Sequence, residues 1–341
     1  MVCRLQGRGA QMSQLEVYEN RAEWLEARGI GASAAPIILG LAPYDTWDSP
    51  YSLWAKMCGL LPIDDSANGD KPWLEWGLRL EGPIAEAFAE KTVREVSLRP
   101  RYSLERHSDH PWLTASPDAD QRFDVDEVLA YIEVNELPPL PLDPAVYQST
   151  TGLLQLKTAD RFRAKEWRAG IPIYYQVQLQ HEMLVSEKEW ATLCVLIGGN
   201  QFKVFPDVRR DDKFINAMLP RLAAFQELVD SQTEPPVDDS EATARALGRI
   251  HGEGNKKTIA LPDETEAWDR RLCWVKEEIK RLESEEELIK NQFKQVMQAN
   301  TYGLLPDGSR YSWKKQTKTT TCKACHFQDE SAPFDVLRKV K

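Results

Sequence analysis

Three polar residues in the middle of the chain have the types and spacing of a site that cuts phosphodiester bonds. Asp118 ends a Ser-Pro-Asp segment, and Gln155 and Lys157 lie two apart in an apolar run, residues 152–158, that predicts a buried strand. Side chains alternate along a strand, so Gln155 and Lys157 point the same way. Carboxylate oxygens hold Mg²⁺, and a neighbouring lysine can face the phosphate under attack. The pattern predicts metal-assisted hydrolysis.

Gln155 is an amide in a group whose metal chemistry needs a second carboxylate. Its amide offers a carbonyl oxygen but no negative charge, which should weaken Mg²⁺ binding and catalysis more than DNA binding. Three explanations are open. The Gln is a substitution made to trap substrate, or the natural site tolerates it, or a carboxylate comes from elsewhere. Glu133 and Glu182 are the candidate replacements.

An Asp and a distant Gln-x-Lys are common in ordinary strands, so the surrounding segments decide the interpretation. Over roughly residues 21–235 the sequence resembles the YqaJ-type phage recombinase family, relatives of lambda exonuclease among the PD-(D/E)XK nucleases. That family pattern has Glu at position 155. The resemblance is carried, in order, by Arg28-Gly29-Ile30-Gly31-Ala32-Ser33, Trp76-Gly77-Leu78-Arg79-Leu80-Glu81, Ser116-Pro117-Asp118, Gln155-Leu156-Lys157 and Tyr175-Gln176-Val177-Gln178.

The resemblance implies a Mg²⁺ site in which Mn²⁺ can substitute. It assigns stabilisation of the phosphate charge to Lys157 and an orienting role to Gln178. Considered singly, each of these side chains also fits an ordinary structural role, such as a solvated or capping residue. The groups that it implies as metal ligands are Glu81, Asp118, Gln155 and the backbone carbonyl of Leu156.

The activity that the resemblance implies is 5′-to-3′ digestion of linear double-stranded DNA, which leaves a single strand for an annealing recombinase. A homotrimer is implied in the same way. Two other functions are open. One is a catalytically inert protein that binds DNA ends or docks a recombinase, with Gln155 as its natural residue; the other is an endonuclease of the same fold.

Two groups of residues are candidates for contact with DNA phosphates. Arg28 and Ser33 precede a predicted helix, where guanidinium and helix-start donors favour anions, and the family resembled grips the 5′ end there, with Ser116 as a further hydroxyl. The alternative is that Ser33 only caps its helix. Arg161 and Lys165 share one face of a predicted helix at 160–169, which is either a DNA contact or a solvated face.

Helical and strand patterns alternate along the first two thirds of the chain, which predicts an α/β or α+β core with a mixed sheet between helices. The resemblance implies that this core is restriction-endonuclease-like. An insert at 124–151 is rich in proline and predicts a surface loop, with 128–134 as a possible edge strand. Predicted helices cover 14–28, 31–40, 50–57, 73–94, 160–169, 172–185 and 211–229, and predicted strands cover 95–104, 112–116, 152–158, 191–197 and 202–205.

A boundary is predicted at Pro235-Pro236, which divides a nuclease core, 12–235, from a C-terminal extension, 236–341. The extension should hold a long helix at about 264–299, because apolar residues at 271–297 follow an alternating three-four spacing. Such a helix either packs at the domain edge or binds a partner. The polar tail contains Cys322-Lys323-Ala324-Cys325-His326, which lacks a nearby second pair of ligands for zinc or a cluster.

Composition places the chain among ordinary globular proteins. It has 341 residues, 43 basic against 53 acidic, and a net charge of -10, which argues against nonspecific coating of nucleic acid but allows a local basic surface. No apolar run is long enough for a membrane span, and six scattered cysteines fit reduced thiols. We therefore expect a cytoplasmic protein without a membrane contact.

Overall fold

The computed structural model describes residues 14–43, 48–63, 72–134, 139–149, 151–252, 257–316, 319–321, 328–330 and 334–340. The chain forms two compact units, Met1–Gly254 and Asn255–Lys341. The residues just after Pro235-Pro236 belong to the first unit, because a helix at Glu241–His251 packs its Ala246, Leu247 and Ile250 into that unit's core. The division between units therefore lies about one helix later than the proline pair suggests.

The first unit alternates helices and strands. Its helices are α1 (Arg21–Ala27), α2 (Ala35–Ile38), α3 (Pro50–Met57), α4 (Pro72–Thr92), α5 (Val125–Val134), α6 (Pro144–Ser149), α7 (Ile173–Val185), α8 (Asp212–Asp230) and α9 (Glu241–His251). Its strands are β1 (Gln14–Val17), β2 (Glu95–Leu98), β3 (Ser103–Arg106), β4 (Thr114–Ala115), β5 (Ala119–Arg122), β6 (Gly152–Ala159), β7 (Trp190–Ile197), β8 (Gln201–Val204) and β9 (Val208–Arg209).

The central sheet has the strand order β2-β5-β6-β7-β8, with β9 also paired to β7. Strands β6 and β7 run parallel while the other pairs are antiparallel, so the sheet is mixed, as the sequence predicts. In β5 and β6, Ala119 lies opposite Leu154. This register brings the residue before β5, Asp118, beside the middle of β6.

Helices cover both faces of the sheet, which gives the predicted α/β arrangement. On one face Ile84 and Phe88 of α4 pack with Leu154 and Leu156 of β6. On the other face Leu179 and Met183 of α7 pack with Leu153 of β6 and with β7. Because side chains alternate along β6, Gln155 and Lys157 lie on the face that α7 covers.

A helical layer packs against the outer side of α7. Val177, Leu184 and Val185 of α7 share one core with residues of α3, α8 and α9. Helix α3 begins at a capping box in which Ser49 and Ser52 bond each other's backbone, with Pro50 in the first turn. Strands β1, β3 and β4 form a small antiparallel sheet, and Ile30 bridges to Leu113 beside it. From Val177 to Val185, helix α7 is thus buried on all sides.

Several local predictions were wrong. The surface loop predicted at 124–151 contains helices α5 and α6, and the strand predicted at 95–104 is divided between β2 and β3, which belong to different sheets. Residues 14–17 form β1 rather than part of a helix, because they pair with β3. The possible edge strand at 128–134 is instead in helix α5, whose first N–H groups are bonded by the Asp124 carboxylate. The segment after β6 is a 3₁₀ helix, Arg161–Trp167, and not an α-helix. With three residues per turn, Arg161 no longer shares a face with Lys165.

The second unit contains the long helix α10 (Thr265–Met297), close to the predicted bounds, and small antiparallel sheets of β10 (Tyr302–Leu304), β11 (Arg310–Gln316), β12 (Thr319–Thr321), β13 (Gln328–Glu330) and β14 (Phe334–Val340). Phe293 of α10 packs on Tyr311. The cysteine-histidine motif at 322–326 lies outside the described residues. Within the described part of the chain, no helix is long and apolar enough to cross a membrane.

A buried polar network ties the far end of the sheet together. The guanidinium of Arg94 donates to both carboxylate oxygens of Asp207, at 2.9 and 2.7 Å, and to Gln121 at 2.9 Å. Tyr147 donates to Asp207 and Gln121 donates to the Leu153 carbonyl of β6. The side chain of Asp207 is 2 % exposed. One ion pair therefore joins the segment between α4 and β2 to β5, β6 and the segment before β9.

We expect Asp207→Asn to destabilise the protein by ~3–5 kcal/mol, because it leaves the Arg94 charge buried without a counter-charge. The free energy of unfolding from urea titration measures the loss. Arg122→Ala is the matched control, since it breaks the exposed Arg122–Glu95 pair between β2 and β5 and should cost less than about 1 kcal/mol. Equal losses in the two variants would contradict a structural role for the buried pair.

Candidate active site

Asp118 is the centre of the candidate site. It follows β4 and immediately precedes β5, and one of its carboxylate oxygens, Oδ2, accepts the backbone N–H of Leu156 at 2.7 Å and the side-chain amide of Gln155 at 2.5 Å. Burial raises the pKa of Asp118, while the Lys157 charge and the Leu156 N–H act to lower it. The structure thus brings Asp118, Gln155 and Lys157 together, as their spacing predicts.

Lys157 is the cation of this cluster. Burial by itself lowers the pKa of its ammonium group, but the charges of Asp118, Glu182 and Glu81 outweigh burial, so the pKa is raised. Its Nζ also lies 5.4 Å from the centre of the Tyr175 ring. The lysine therefore stays charged and is held between the sheet and α7.

Glu81 reaches the same cluster from α4 on the other side of the sheet. It lies two residues before Pro83, inside a helix that runs unbroken from Pro72 to Thr92. Burial and the Asp118 charge raise the pKa of Glu81 to about 7, against the opposing charges of Lys157 and Arg101. The helical carboxylate implied by the family resemblance is thus electrostatically coupled to Asp118.

Helix α7 contributes two residues to the cluster, one turn apart. Gln178 donates through Nε2 to Glu182 at 2.9 Å, and both side chains are buried. Burial raises the pKa of Glu182 to about 7, with the Asp118 charge adding to the shift and Lys157 opposing it. Of the two proposed replacement carboxylates, Glu182 is in the site. Glu133 is exposed on α5 and is not part of this cluster.

The donor set fits a hard divalent cation. Two oxygens in the cluster, Oε1 of Gln155 and Oε2 of Glu182, are buried without a hydrogen-bond partner among the residues that the structure describes. Buried oxygens without donors are costly, and a cation with oxygen ligands would satisfy them. Among the described residues, no three Asp, Glu, His or Cys side chains form a ready-made cage, and the Gln155 amide donates to the Asp118 oxygen.

Arg28 and Ser116 lie on either side of Trp24. The guanidinium of Arg28 stacks over the Trp24 ring at 4.5 Å, and the indole N–H of Trp24 donates to Ser116 Oγ at 3.3 Å and to the Ser103 carbonyl at 3.1 Å. Arg28 makes no hydrogen bond to a carboxylate in the described part of the chain, and burial, with Arg21 nearby, lowers its pKa to about 10. A half-buried arginine of this kind fits an anion.

Gly31 explains how Arg28 is accommodated. A Cβ atom at Gly31 would lie 2.7 Å from a guanidinium nitrogen of Arg28, so the absence of a side chain leaves room for the arginine. Ser33 is exposed and makes no capping bond, and α2 begins after Ala34 instead. The helix-capping alternative for Ser33 is therefore wrong. Ser116 donates its hydroxyl proton to the Ser103 carbonyl, so this proton is not free to bond a phosphate.

The basic residues after β6 are exposed on the 3₁₀ helix. Arg161 and Lys165 lie on different sides of it, and Arg163 pairs with Glu166 at 2.9 Å. This surface follows directly from the strand that carries Lys157. It is a smaller and more divided basic patch than the sequence predicts.

Trp24 and Tyr175 were not among the predicted site residues. Tyr175 lies one helical turn before Gln178, and that spacing is a signal that could have suggested it. The position of Trp24 beside Ser116 depends on how α1 packs near β3, which no local pattern encodes. Leu156 meets Asp118 through its N–H, whereas its carbonyl as a metal ligand stays a prediction.

Comparison with known proteins agrees with the family resemblance. Residues 23–189 match the YqaJ-like viral recombinase domain. The uncharacterized protein YqaJ of Bacillus subtilis (strain 168) is 30% identical over 293 residues, which cover 84% of this chain and 81% of that protein. All the residues of the Asp118 cluster lie inside the matched domain.

Solved structures of two exonucleases are more distantly similar. The alkaline exonuclease LHK-Exo from Laribacter hongkongensis has 15% identity and a TM-score of 0.43, covering 62% of this chain and 94% of its own. A phage related exonuclease from Haemophilus somnus 129PT has 12% identity and a TM-score of 0.37, covering 60% and 94%. Similarities of this size carry no argument about activity.

His181, between Gln180 and Glu182 on α7, should make the protein sensitive to acid. It is fully buried, and burial lowers its pKa from about 6.5 to about 3. Below pH 6.5 the His181 imidazole is protonated in the unfolded chain but stays neutral in the folded chain. The free energy of unfolding therefore falls as the pH drops from 6.5 towards 3. At pH 5 the cost is ~2 kcal/mol relative to pH 8.

Urea unfolding at pH 8 and pH 5 measures this effect when the protein is compared with His181→Leu. The carboxyls with raised pKa, Glu81 and Glu182, act in the opposite direction but are common to both proteins. The variant should lose ~2 kcal/mol less than the unmodified protein between the two pH values. An identical loss would show that His181 does not titrate in this way.

Proposed function

We propose a function for this chain from the premise that it belongs to the YqaJ-like viral recombinase domain family. The proposed function is that of a nuclease that digests linear double-stranded DNA from the 5′ end with Mg²⁺, or Mn²⁺ in its place, and leaves a single strand for an annealing recombinase. The observation that carries the proposal is the cluster in which half-buried Asp118 and Lys157 are coupled to Glu81 and to buried Glu182.

The chemistry of the cluster supports phosphodiester hydrolysis. A divalent cation held by Asp118, Glu81 and the Gln155 carbonyl, with the Leu156 carbonyl as a further ligand, would activate water and stabilise the charge that develops on the phosphate. Lys157 remains protonated because carboxylates surround it, so its ammonium group can donate to a phosphate oxygen. Gln178 fixes the direction of the Glu182 carboxylate.

A catalytically inert DNA-end-binding protein is the second candidate, and the Gln155 amide favours it. Its Nε2 donates to Asp118 and so satisfies an oxygen of the central carboxylate without a metal ion. In this alternative the family site is kept for DNA-end binding while catalysis is lost. The two candidates differ in whether the unmodified chain releases nucleotides.

Digestion of a 5′-phosphorylated linear duplex with Mg²⁺ or Mn²⁺ separates the candidates. We expect the unmodified chain to release nucleotides and Asp118→Asn to abolish release. Gln155→Glu should raise the rate at low metal concentration by about tenfold, which corresponds to ~1.4 kcal/mol of stabilisation. Acid-soluble nucleotides measure the rate. A circular duplex is the substrate control, since an exonuclease should leave it intact.

Activity only in Gln155→Glu would favour the inert protein over the active nuclease. Cleavage of the circular duplex would favour an endonuclease. If neither the unmodified chain nor Gln155→Glu releases nucleotides, and Asp118→Asn binds DNA ends as well as the unmodified chain, the nuclease proposal is overturned. Light scattering of the same samples tests the proposed homotrimer, because the mass should be three times 38.9 kDa.

Arg28 should recognise the 5′-phosphate. Arg28→Ala is expected to lose ~1.5–3 kcal/mol of binding to a 5′-phosphorylated end, the usual contribution of hydrogen bonds to a charged group, and little towards a 5′-hydroxyl end. Binding of the two ends in Ca²⁺ buffer, followed by fluorescence anisotropy, measures the difference. Arg245→Ala on the exposed face of α9 is the control. An equal loss for both ends would show that Arg28 does not read the phosphate.

A further inference from the structure

The sheet of β10 and β11 in the second unit exposes a tyrosine between two cations. Tyr302 lies opposite Ser312 in the antiparallel pairing, so both side chains point to the same face of the sheet. Arg310 and Lys314 lie two residues to either side of Ser312 on β11 and share that face, because side chains alternate along a strand. The pairing therefore places the Tyr302 ring between a guanidinium and an ammonium group.

The side-chain contacts agree with this placement. The Arg310 guanidinium lies 5.2 Å from the centre of the Tyr302 ring, and Lys314 Nζ lies 5.0 Å from the same point. Lys314 Nζ also donates to the Tyr302 hydroxyl at 2.9 Å. Among the side chains that the structure describes, no carboxylate pairs with either cation, and both cations are exposed. Their charges are thus available to an external anion.

Helix α10 covers the other face of this sheet. Phe293 of α10 packs on Tyr311 with ring centres 4.3 Å apart, and buried Met297 lies against Gly303. Tyr302, which points the opposite way, is 50 % exposed. The sheet therefore has one face for packing and one face that presents an aromatic ring to solvent.

The sequence around this face differs in charge from the rest of the protein. Residues 301–341 contain eight basic and four acidic residues, whereas the whole chain has 43 basic and 53 acidic residues. A local basic surface on an acidic protein favours a polyanion. An exposed ring beside the cations favours a polyanion with unpaired bases, because every base can stack on a ring while its phosphates meet the cations. An acidic peptide would use the cations but not the ring.

We propose that Tyr302, Arg310 and Lys314 form a binding site for single-stranded DNA on the second unit. A base stacks on the Tyr302 ring, and the two cations, about 13 Å apart along β11, contact phosphates on either side of it. The inference rests on contacts within the second unit and does not require the proposed nuclease activity. Under that activity, the strand left by digestion is a ligand of the right chemistry.

Binding of the full chain to a short fluorescent single-stranded DNA circle in EDTA tests this site, because a circle has no end and EDTA prevents metal-dependent digestion. Tyr302→Ala should weaken binding by about tenfold, which is within the range for the loss of one stacked base. Tyr302→Phe keeps the ring and should bind within a few-fold of the unmodified protein. Fluorescence anisotropy measures the affinities, and thermal unfolding confirms that each variant is folded.

Trp274→Ala is the matched control. Trp274 is also 50 % exposed, and the Arg271 guanidinium lies over its ring at 4.2 Å. It belongs to α10, where several other cations pair with glutamates. Its removal should leave the affinity for the single-stranded circle unchanged.

The double variant Arg310→Gln/Lys314→Gln tests the phosphate contacts. The slope of log affinity against log salt concentration should become shallower by about 1.4, since each phosphate contact on a single strand contributes about 0.7. A closed duplex circle should bind the unmodified protein at least about tenfold more weakly than the single-stranded circle, because its bases are not free to stack.

The site is overturned if the unmodified chain does not bind the single strand, or if Tyr302→Ala binds as well as the unmodified chain. Equal losses in Tyr302→Ala and Trp274→Ala, or equal binding of the duplex circle, also overturn it. Loss of binding in the double variant alone would show an anion surface that does not stack bases, such as one for an acidic peptide. Digestion of the linear duplex is measured independently, so the nuclease proposal stands or falls apart from these outcomes.

Discussion

The candidate site depends on one constraint, which is that Asp118 stays a carboxylate inside the protein. Its oxygen is bonded by the Leu156 N–H and the Gln155 amide, and the charge of Lys157 opposes the effect of burial. These partners are adjacent on β6 because Ala119 pairs with Leu154. A shift of one residue in this register would move Gln155 and Lys157 to the other face and leave Asp118 without these partners.

Both faces of the sheet are needed to complete the cluster. Helix α4 brings Glu81 and helix α7 brings Gln178 and Glu182, while their apolar residues form the two cores that fix the sheet between them. The Arg94–Asp207 network holds the opposite end of the same strands. Packing therefore positions the carboxylates, and the cost of burying them appears in their raised pKa values.

Local periods in the sequence predicted the mixed sheet and the long C-terminal helix. The grouping of Asp118 with Gln155 and Lys157 was predicted from the spacing of the last two on one strand together with the family resemblance. It could not distinguish Glu133 from Glu182, since that choice depends on which helix covers the β6 face. It also missed that Arg161–Trp167 forms a 3₁₀ helix and that Trp24 lies between Arg28 and Ser116. These features depend on contacts between residues far apart in the chain.

Helix α7 serves packing and the candidate site at once. Leu179 and Met183 pack on β6 and β7, while Val177, Leu184 and Val185 pack on the helical layer. Gln178 and Glu182, one turn apart on the same helix, are buried and bonded to each other. The fold therefore sets the positions of these polar side chains, and their residue types set the charge of the site.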